Sequence, residues 1–264
     1  MNKKIKKILA KENKTKIVSL TAYSKNIAKI LDKYVDIVLV GDSMANVLYA
    51  HKNTHRISLE NIIQHTSSVK KGIKNSLLVV DMPKGSYDNL KIARNNAKLL
   101  IKKTGCDAVK IESNKNNFKI IKLLTKNKIP VMGHIGYTPQ FKKKFKVEGV
   151  TKFETMKLLK EAKQIQEAGA FSIVLECLSP KSAKLITNEL NIPTIGIGSS
   201  TLCDGQILVT DDMLGLSGFY PKFVKKYVNL NRIIENAVKK YTKEVKLNKF
   251  PTINNFLNGK RNRK

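Results

Sequence analysis

The sequence predicts a (β/α)8 TIM barrel, an α/β fold. Short β-branched apolar runs alternate with longer amphipathic segments along the whole chain. Eight such runs occur in 264 residues, close to the ~250 usual for this barrel. Some runs, such as Ile37-Val38-Leu39-Val40 and Leu77-Leu78-Val79-Val80, are apolar at every position. Strands buried on both faces of a parallel sheet read this way. A doubly wound open sheet is the alternative arrangement of the same elements.

In chain order, strands are expected over residues 17–22, 36–41, 77–82, 108–113, 131–136, 172–177, 193–198 and 207–211. Helices are expected over 24–33, 58–70, 89–103, 116–126, 152–168, 181–189 and 230–246. Ser58 suits a helix N-cap, and Gly169 supplies a C-terminal stop before the sixth strand. The connection after Gly198 is too short for a full helix. No Pro/Gly/Ser-rich linker or internal repeat divides the chain. Residues 1–250 are therefore read as one barrel domain, and 251–264 as a basic, partly disordered tail.

Composition excludes several classes of function. No apolar run approaches the ~20 residues of a membrane span, and the basic N-terminus has no apolar signal core. A cytoplasmic protein is expected. Cys106, Cys177 and Cys203 form no C-x-x-C, so reduced thiols are expected rather than disulfides or zinc. His51 and His55 have an i, i+4 spacing, but Lys52-Asn53-Thr54 between them reads as loop. Lys+Arg 50 against Asp+Glu 20 gives a net charge of +30. Only five of these cations are Arg, the residue that reads phosphates and guanine edges best. The charge is read as a surface overlay, with no specific nucleic acid or membrane partner. A polyanion-binding protein on a relic barrel is the competing possibility.

A barrel concentrates chemistry at the C-terminal ends of its strands. Asp42 and Ser43 follow the second strand, Asp81 ends the third, and Lys110 and Glu112 end the fourth. His134 lies on the fifth strand, Glu176 ends the sixth, and Asp211 ends the eighth. Each acid interrupts an apolar run, where an isolated charge is costly to bury. Lys110 and Glu112, at i and i+2, point to the same side. Asp42, Asp81 and Glu112 would converge from three successive strands, and oxygen ligands of this kind suit Mg²⁺. Glu176, across the mouth from them, is free to act as a general base. Helix capping or a structural ion pair is the plainer reading of any one acid, and Asp211 is the weakest candidate. His134 is either a substrate contact or a hydrogen-bonded core histidine. No G-x-x-x-x-G-K-[ST] or G-x-S-x-G occurs.

Several segments occur in a telling order. They are Gly41-Asp42-Ser43, Val109-Lys110-Ile111-Glu112, Gly133-His134-Ile135-Gly136-Tyr137-Thr138-Pro139-Gln140, Leu175-Glu176-Cys177, Ile195-Gly196-Ile197-Gly198 and Asp204-Gly205-Gln206-Ile207. Thr21-Ala22-Tyr23 precedes them. Together the set resembles the ketopantoate hydroxymethyltransferase family over about residues 15–255. The resemblance implies a barrel of the phosphoenolpyruvate/pyruvate superfamily, assembled as a homodecamer. It implies transfer of a one-carbon unit from 5,10-methylenetetrahydrofolate to 3-methyl-2-oxobutanoate through a Mg-stabilised enolate. The product would be 2-dehydropantoate, a pantothenate precursor. Asp42, Asp81 and Glu112 would serve Mg²⁺. Ser43 and Lys110, with Asp42 and Asp81, would contact the oxo acid, and Glu176 would accept the proton. A related Mg-dependent 2-oxo acid lyase or mutase is the nearest alternative.

The chain departs from the family pattern at Ser24, Ala45, Lys84 and Ser199-Ser200. It also departs in the short Lys-rich loop over 141–150. None of these removes a proposed ligand or base. They bear on lid closure, folate affinity and turnover.

Overall fold

The structure, a computed structural model, describes residues 2–12, 14–114, 117–218 and 220–256. Eight strands form: β1 (Ile17–Thr21), β2 (Ile37–Val40), β3 (Leu77–Asp81), β4 (Ala108–Glu112), β5 (Val131–Gly136), β6 (Ser172–Glu176), β7 (Thr194–Ile197) and β8 (Gly205–Leu208). Each pairs in parallel with its neighbours in the chain, and β8 closes on β1. That last pairing makes a barrel and removes the open-sheet alternative. Around the strands lie α1 (Lys3–Leu9), α2 (Lys25–Leu31), α3 (Met44–Val47), α4 (Leu59–Lys70), α5 (Leu90–Thr104), α6 (Asn117–Lys126), α7 (Lys152–Glu167), α8 (Pro180–Glu189), α9 (Thr210–Met213) and α10 (Leu230–Lys246).

Alternation along each strand sorts its side chains into two cores. Val38, Val40, Leu78, Val80, Val109 and Ile111 face outward and pack against the helices. Ile37, Leu39, Leu77, Val79, Met132 and Val174 face inward and fill the barrel's lower half. Ile5 and Ile8 of α1 join this inner cluster and close the N-terminal mouth. An isolated seven-residue helix is unstable. Burying two isoleucines, at about 2 kcal/mol each, accounts for its presence. The upper half of the barrel interior is left to the polar ends of the strands.

Two sequence expectations need correction. The eighth strand is Gly205–Leu208, not 207–211, because Gly205-Gln206 lacks the apolar β-branched signal that pattern reading follows. Asp211 therefore ends no strand; it lies in the first turn of α9. The tail expected to be partly disordered lies, over residues 257–264, outside the described residues.

The long helix α10 stays exposed, with the Phe250 ring against its Tyr241. None of its residues is buried, and Ile234, Val238, Tyr241 and Val245 form one exposed apolar stripe. The outer flank of β1 and β8 is correspondingly bare: Val18, on β1, is 47% exposed. The three cysteines are buried and free. Among the described residues, no helix is long and apolar enough to cross a membrane.

Candidate active site

Parallel strands end at one rim, so their terminal polar groups meet there. The register sets Asp81 beside Lys110, Glu112 beside His134, and Gly136 beside Glu176. Asp42, Asp81, Lys110, Glu112 and His134 are buried, and the Glu176 side chain is 16% exposed. The structure thus brings six expected site residues to one end of the barrel. Ser43 stands beside them, with its Oγ 2.9 Å from the Tyr23 hydroxyl.

The contacts form a connected network. Lys110 Nζ lies 2.9 Å from Asp81 Oδ1 and 3.3 Å from His134 Nδ1. The Asp42 backbone N–H donates to Asp81 Oδ2 at 3.0 Å. Gln140 binds the acids together. Its Nε2 donates to Asp42 Oδ2 at 2.8 Å and to the Met82 carbonyl at 3.1 Å. Its backbone N–H donates to Glu112 Oε2 at 2.9 Å, and Tyr87 donates its hydroxyl to the Gln140 Oε1. Sequence reasoning assigned no role to Gln140, Tyr87 or Tyr23. The only available signal was that Gln140 closes the Thr138-Pro139-Gln140 segment after a buried strand.

Glu176 is nearer the acids than its position across the barrel suggests. His134 Nε2 lies 3.1 Å from Glu176 Oε2, and His134 Nδ1 lies 3.7 Å from Glu112 Oε1. One imidazole therefore separates the two carboxyls. The Nε2–Glu176 approach is short but out of line for a full hydrogen bond. An ammonium can only donate, so Lys110 assigns Nδ1 the acceptor role. The ring proton then sits on Nε2, facing Glu176.

Burial dominates the electrostatics. It pushes the Asp42 carboxyl up to about 7, with the Asp81 charge adding to the shift. Burial and the Asp42 charge hold Glu112 well above the ordinary carboxylate range. Burial alone would lower the Lys110 ammonium, but the Asp81, Glu112 and Asp42 carboxylates outweigh it and hold the pKa above normal. His134 is kept neutral by burial and by the neighbouring Lys110 charge. Burial lifts Glu176 to about 8, against the opposing pull of Lys110.

Three buried carboxyls facing one ammonium leave negative charge under-compensated. Glu112 Oε1 is buried without a hydrogen-bond partner. Both features suit a hard divalent cation. Among the described residues, no three His, Cys, Asp or Glu side chains are placed to hold a metal ion together. This open arrangement fits a cation that keeps waters or substrate oxygens and takes only one or two carboxylates. His51 stacks on Tyr49, and His55 Nε2 lies 3.2 Å from the Pro139 carbonyl, so the i, i+4 pair is engaged separately.

The model of the family described as ketopantoate hydroxymethyltransferase matches residues 2–253. The chain belongs to the ketopantoate hydroxymethyltransferase family. A 3-methyl-2-oxobutanoate hydroxymethyltransferase of Pelagibacter ubique (strain HTCC1062) is 52% identical over 252 residues, covering 96% of this chain and 98% of the relative. The protein of that name from Clostridioides difficile (strain 630) is 46% identical over 248 residues, covering 92% and 90%. Solved structures with the same fold are more distant. A 2,3-dimethylmalate lyase of the PEP mutase/isocitrate lyase superfamily superposes with a TM-score of 0.60 at 11% identity, covering 98% of this chain and 93% of that one. A phosphonopyruvate hydrolase, complexed with oxalate and Mg²⁺, gives 0.61 at 13% identity, covering 95% and 89%. Family membership and the closed barrel thus agree with the order of motifs in the sequence.

Proposed function

We propose that the chain transfers a one-carbon unit from 5,10-methylenetetrahydrofolate to 3-methyl-2-oxobutanoate, giving 2-dehydropantoate. The observation that carries this reading is the buried Asp42–Asp81–Lys110–Glu112 network joined through His134 to Glu176. The reaction replaces the C3–H of the oxo acid by C3–CH2OH, with water supplying the hydroxyl oxygen and tetrahydrofolate leaving.

Asp42, Asp81 and Glu112 would serve Mg²⁺, one or two of them directly and the rest through its waters, and the ion would supply Lewis-acid stabilisation of the negative charge on the keto oxygen. Lys110 and Ser43 orient the oxo acid, and Lys110 adds fixed positive charge in a water-poor site. Glu176 takes the C3 proton. Its raised pKa makes it a stronger base than an exposed carboxylate once ionised. The neutral His134 ring lies beside the Glu176 carboxyl, with Nε2 3.1 Å from Oε2. The exposed stripe of α10 supports assembly as a homo-oligomer, for which the family resemblance implies a decamer; a cytoplasmic location is the reading of the sequence.

The test is formation of 2-dehydropantoate from the two substrates, dependent on both Mg²⁺ and methylenetetrahydrofolate. Glu176→Gln should lower turnover by about a hundredfold or more while the circular dichroism spectrum stays unchanged. A proton acceptor must be ionised, so kcat/KM should rise with pH and level off above about 8. The limb should vanish in Glu176→Gln. A folded Glu176→Gln protein with normal turnover would remove Glu176 from the role.

A further inference from the structure

The rim above β5 carries a feature that the oxo-acid site does not use. The loop 141–149 is anchored by Lys142, which donates to the Gly136 carbonyl at 2.8 Å and pairs with Glu148 at 3.0 Å. The remaining cations of the loop, Lys143, Lys144 and Lys146, are exposed. None of them lies within 4 Å of a carboxylate among the described residues. The four lysines of this loop and Glu148, whose charge Lys142 offsets, line an open cleft of about 360 Å³. Phe145, between them, is 54% exposed. Its ring stands 5.0 Å from Tyr137 and 6.1 Å, nearly parallel, from Phe223. Phe223 in turn packs over Gly198 at the end of β7, where a Cβ would meet its ring. The stack starts beside Glu176: the Tyr137 backbone N–H donates to the Glu176 backbone carbonyl at 2.9 Å, and the Glu176 charge adds to burial in raising the Tyr137 hydroxyl.

An aromatic ledge leading from the base into a cleft of unpaired ammoniums suits one kind of ligand. It fits an aromatic group followed by several carboxylates in a flexible chain. We propose that Lys143, Lys144 and Lys146 bind the oligo-γ-glutamate tail of the folate substrate, with Phe145 under the ring system that precedes it. The inference rests on the folate reading above. It gives a local role to a small part of the +30 charge. Exposed ion pairs are individually weak, so the effect is a sum over several lysines and is screened by salt.

The experiment compares KM for the monoglutamyl and pentaglutamyl forms of methylenetetrahydrofolate. The expected preference for the long tail is about tenfold, equivalent to about 1.4 kcal/mol, and it shrinks at high ionic strength. Combined Lys143→Ser, Lys144→Ser and Lys146→Ser should bring the ratio close to one. A control with the same charge change on α10, Lys239→Ser, Lys240→Ser and Lys243→Ser, should keep it. A ratio untouched by the loop variant, or lost equally in the control, overturns the assignment.

Anisotropy of a labelled γ-pentaglutamate peptide separates the two readings. Product formation without tail preference or peptide binding overturns the loop assignment alone. Peptide binding that needs these lysines, without product formation, overturns the reaction and leaves an acidic-peptide site. A short single-stranded RNA that binds the loop more tightly than the peptide would overturn the choice of ligand.

Discussion

Gln140 links groups from three strands. It donates to Asp42 after β2, to the Met82 carbonyl after β3 and, through its backbone, to Glu112 on β4. Replacing it by leucine keeps the volume but strips Asp42 Oδ2 of a donor and the Tyr87 hydroxyl of an acceptor. Each buried group left unpaired costs about 1–3 kcal/mol. Gln140→Leu should therefore lower the melting temperature and weaken Mg²⁺ binding to the substrate-free protein by about tenfold or more, read by calorimetric titration. An unchanged Mg²⁺ affinity would reduce Gln140 to a packing residue. The carboxylates themselves were legible because each breaks an apolar run. Gln140 was not, because it lies in a loop, where a polar side chain carries no signal. Its partners come from residues far away in sequence.

The strands read well at the level of elements because a closed parallel sheet demands continuous apolar runs. β8 read poorly because its first half is Gly205-Gln206. The helices α3 and α9 span four residues each, too short for a 3.6-residue period to repeat. The junction between β5 and the following loop was visible as a motif but not as a mechanism. Gly136 has φ +95, and a Cβ there would press on the Glu176 carbonyl and the Leu178 side chain. Gly136→Ala should cost about 2 kcal/mol or more of stability. It should also displace the strand end that carries Glu176. Gly169, with φ +92 at the end of α7, provides the comparison, since the nearest atoms to its Cβ would be those of the Thr125 side chain. Both variants should lose stability, measured by urea unfolding, but only Gly136→Ala should lose kcat in the fraction that remains folded. Equal losses of kcat would show that strain, rather than the position of Glu176, sets activity.

The whole molecule presents two complementary defects. One is a long helix whose apolar stripe meets only the Phe250 ring among the described contacts; the other is a barrel flank at β1 and β8 where Val18 is exposed. Contiguous apolar surface of this kind marks an interaction site. In the proposed homo-oligomer a second copy of the chain would supply both halves of the contact, since each copy has one stripe and one exposed flank. Net charge of +30 opposes such an assembly, so the apolar contact must outweigh the repulsion between copies. Added salt screens that repulsion and leaves the apolar contact intact. Light scattering after gel filtration should therefore give a mass that is a multiple of 29.7 kDa and is held more firmly at high salt. Val238→Glu sets a carboxylate in the middle of the stripe without touching the barrel, where it is 55% exposed in the single chain. This variant should lower the assembled mass while the protein stays folded. A wild-type protein that runs as a single 29.7 kDa chain at every salt concentration would leave the stripe to some other partner.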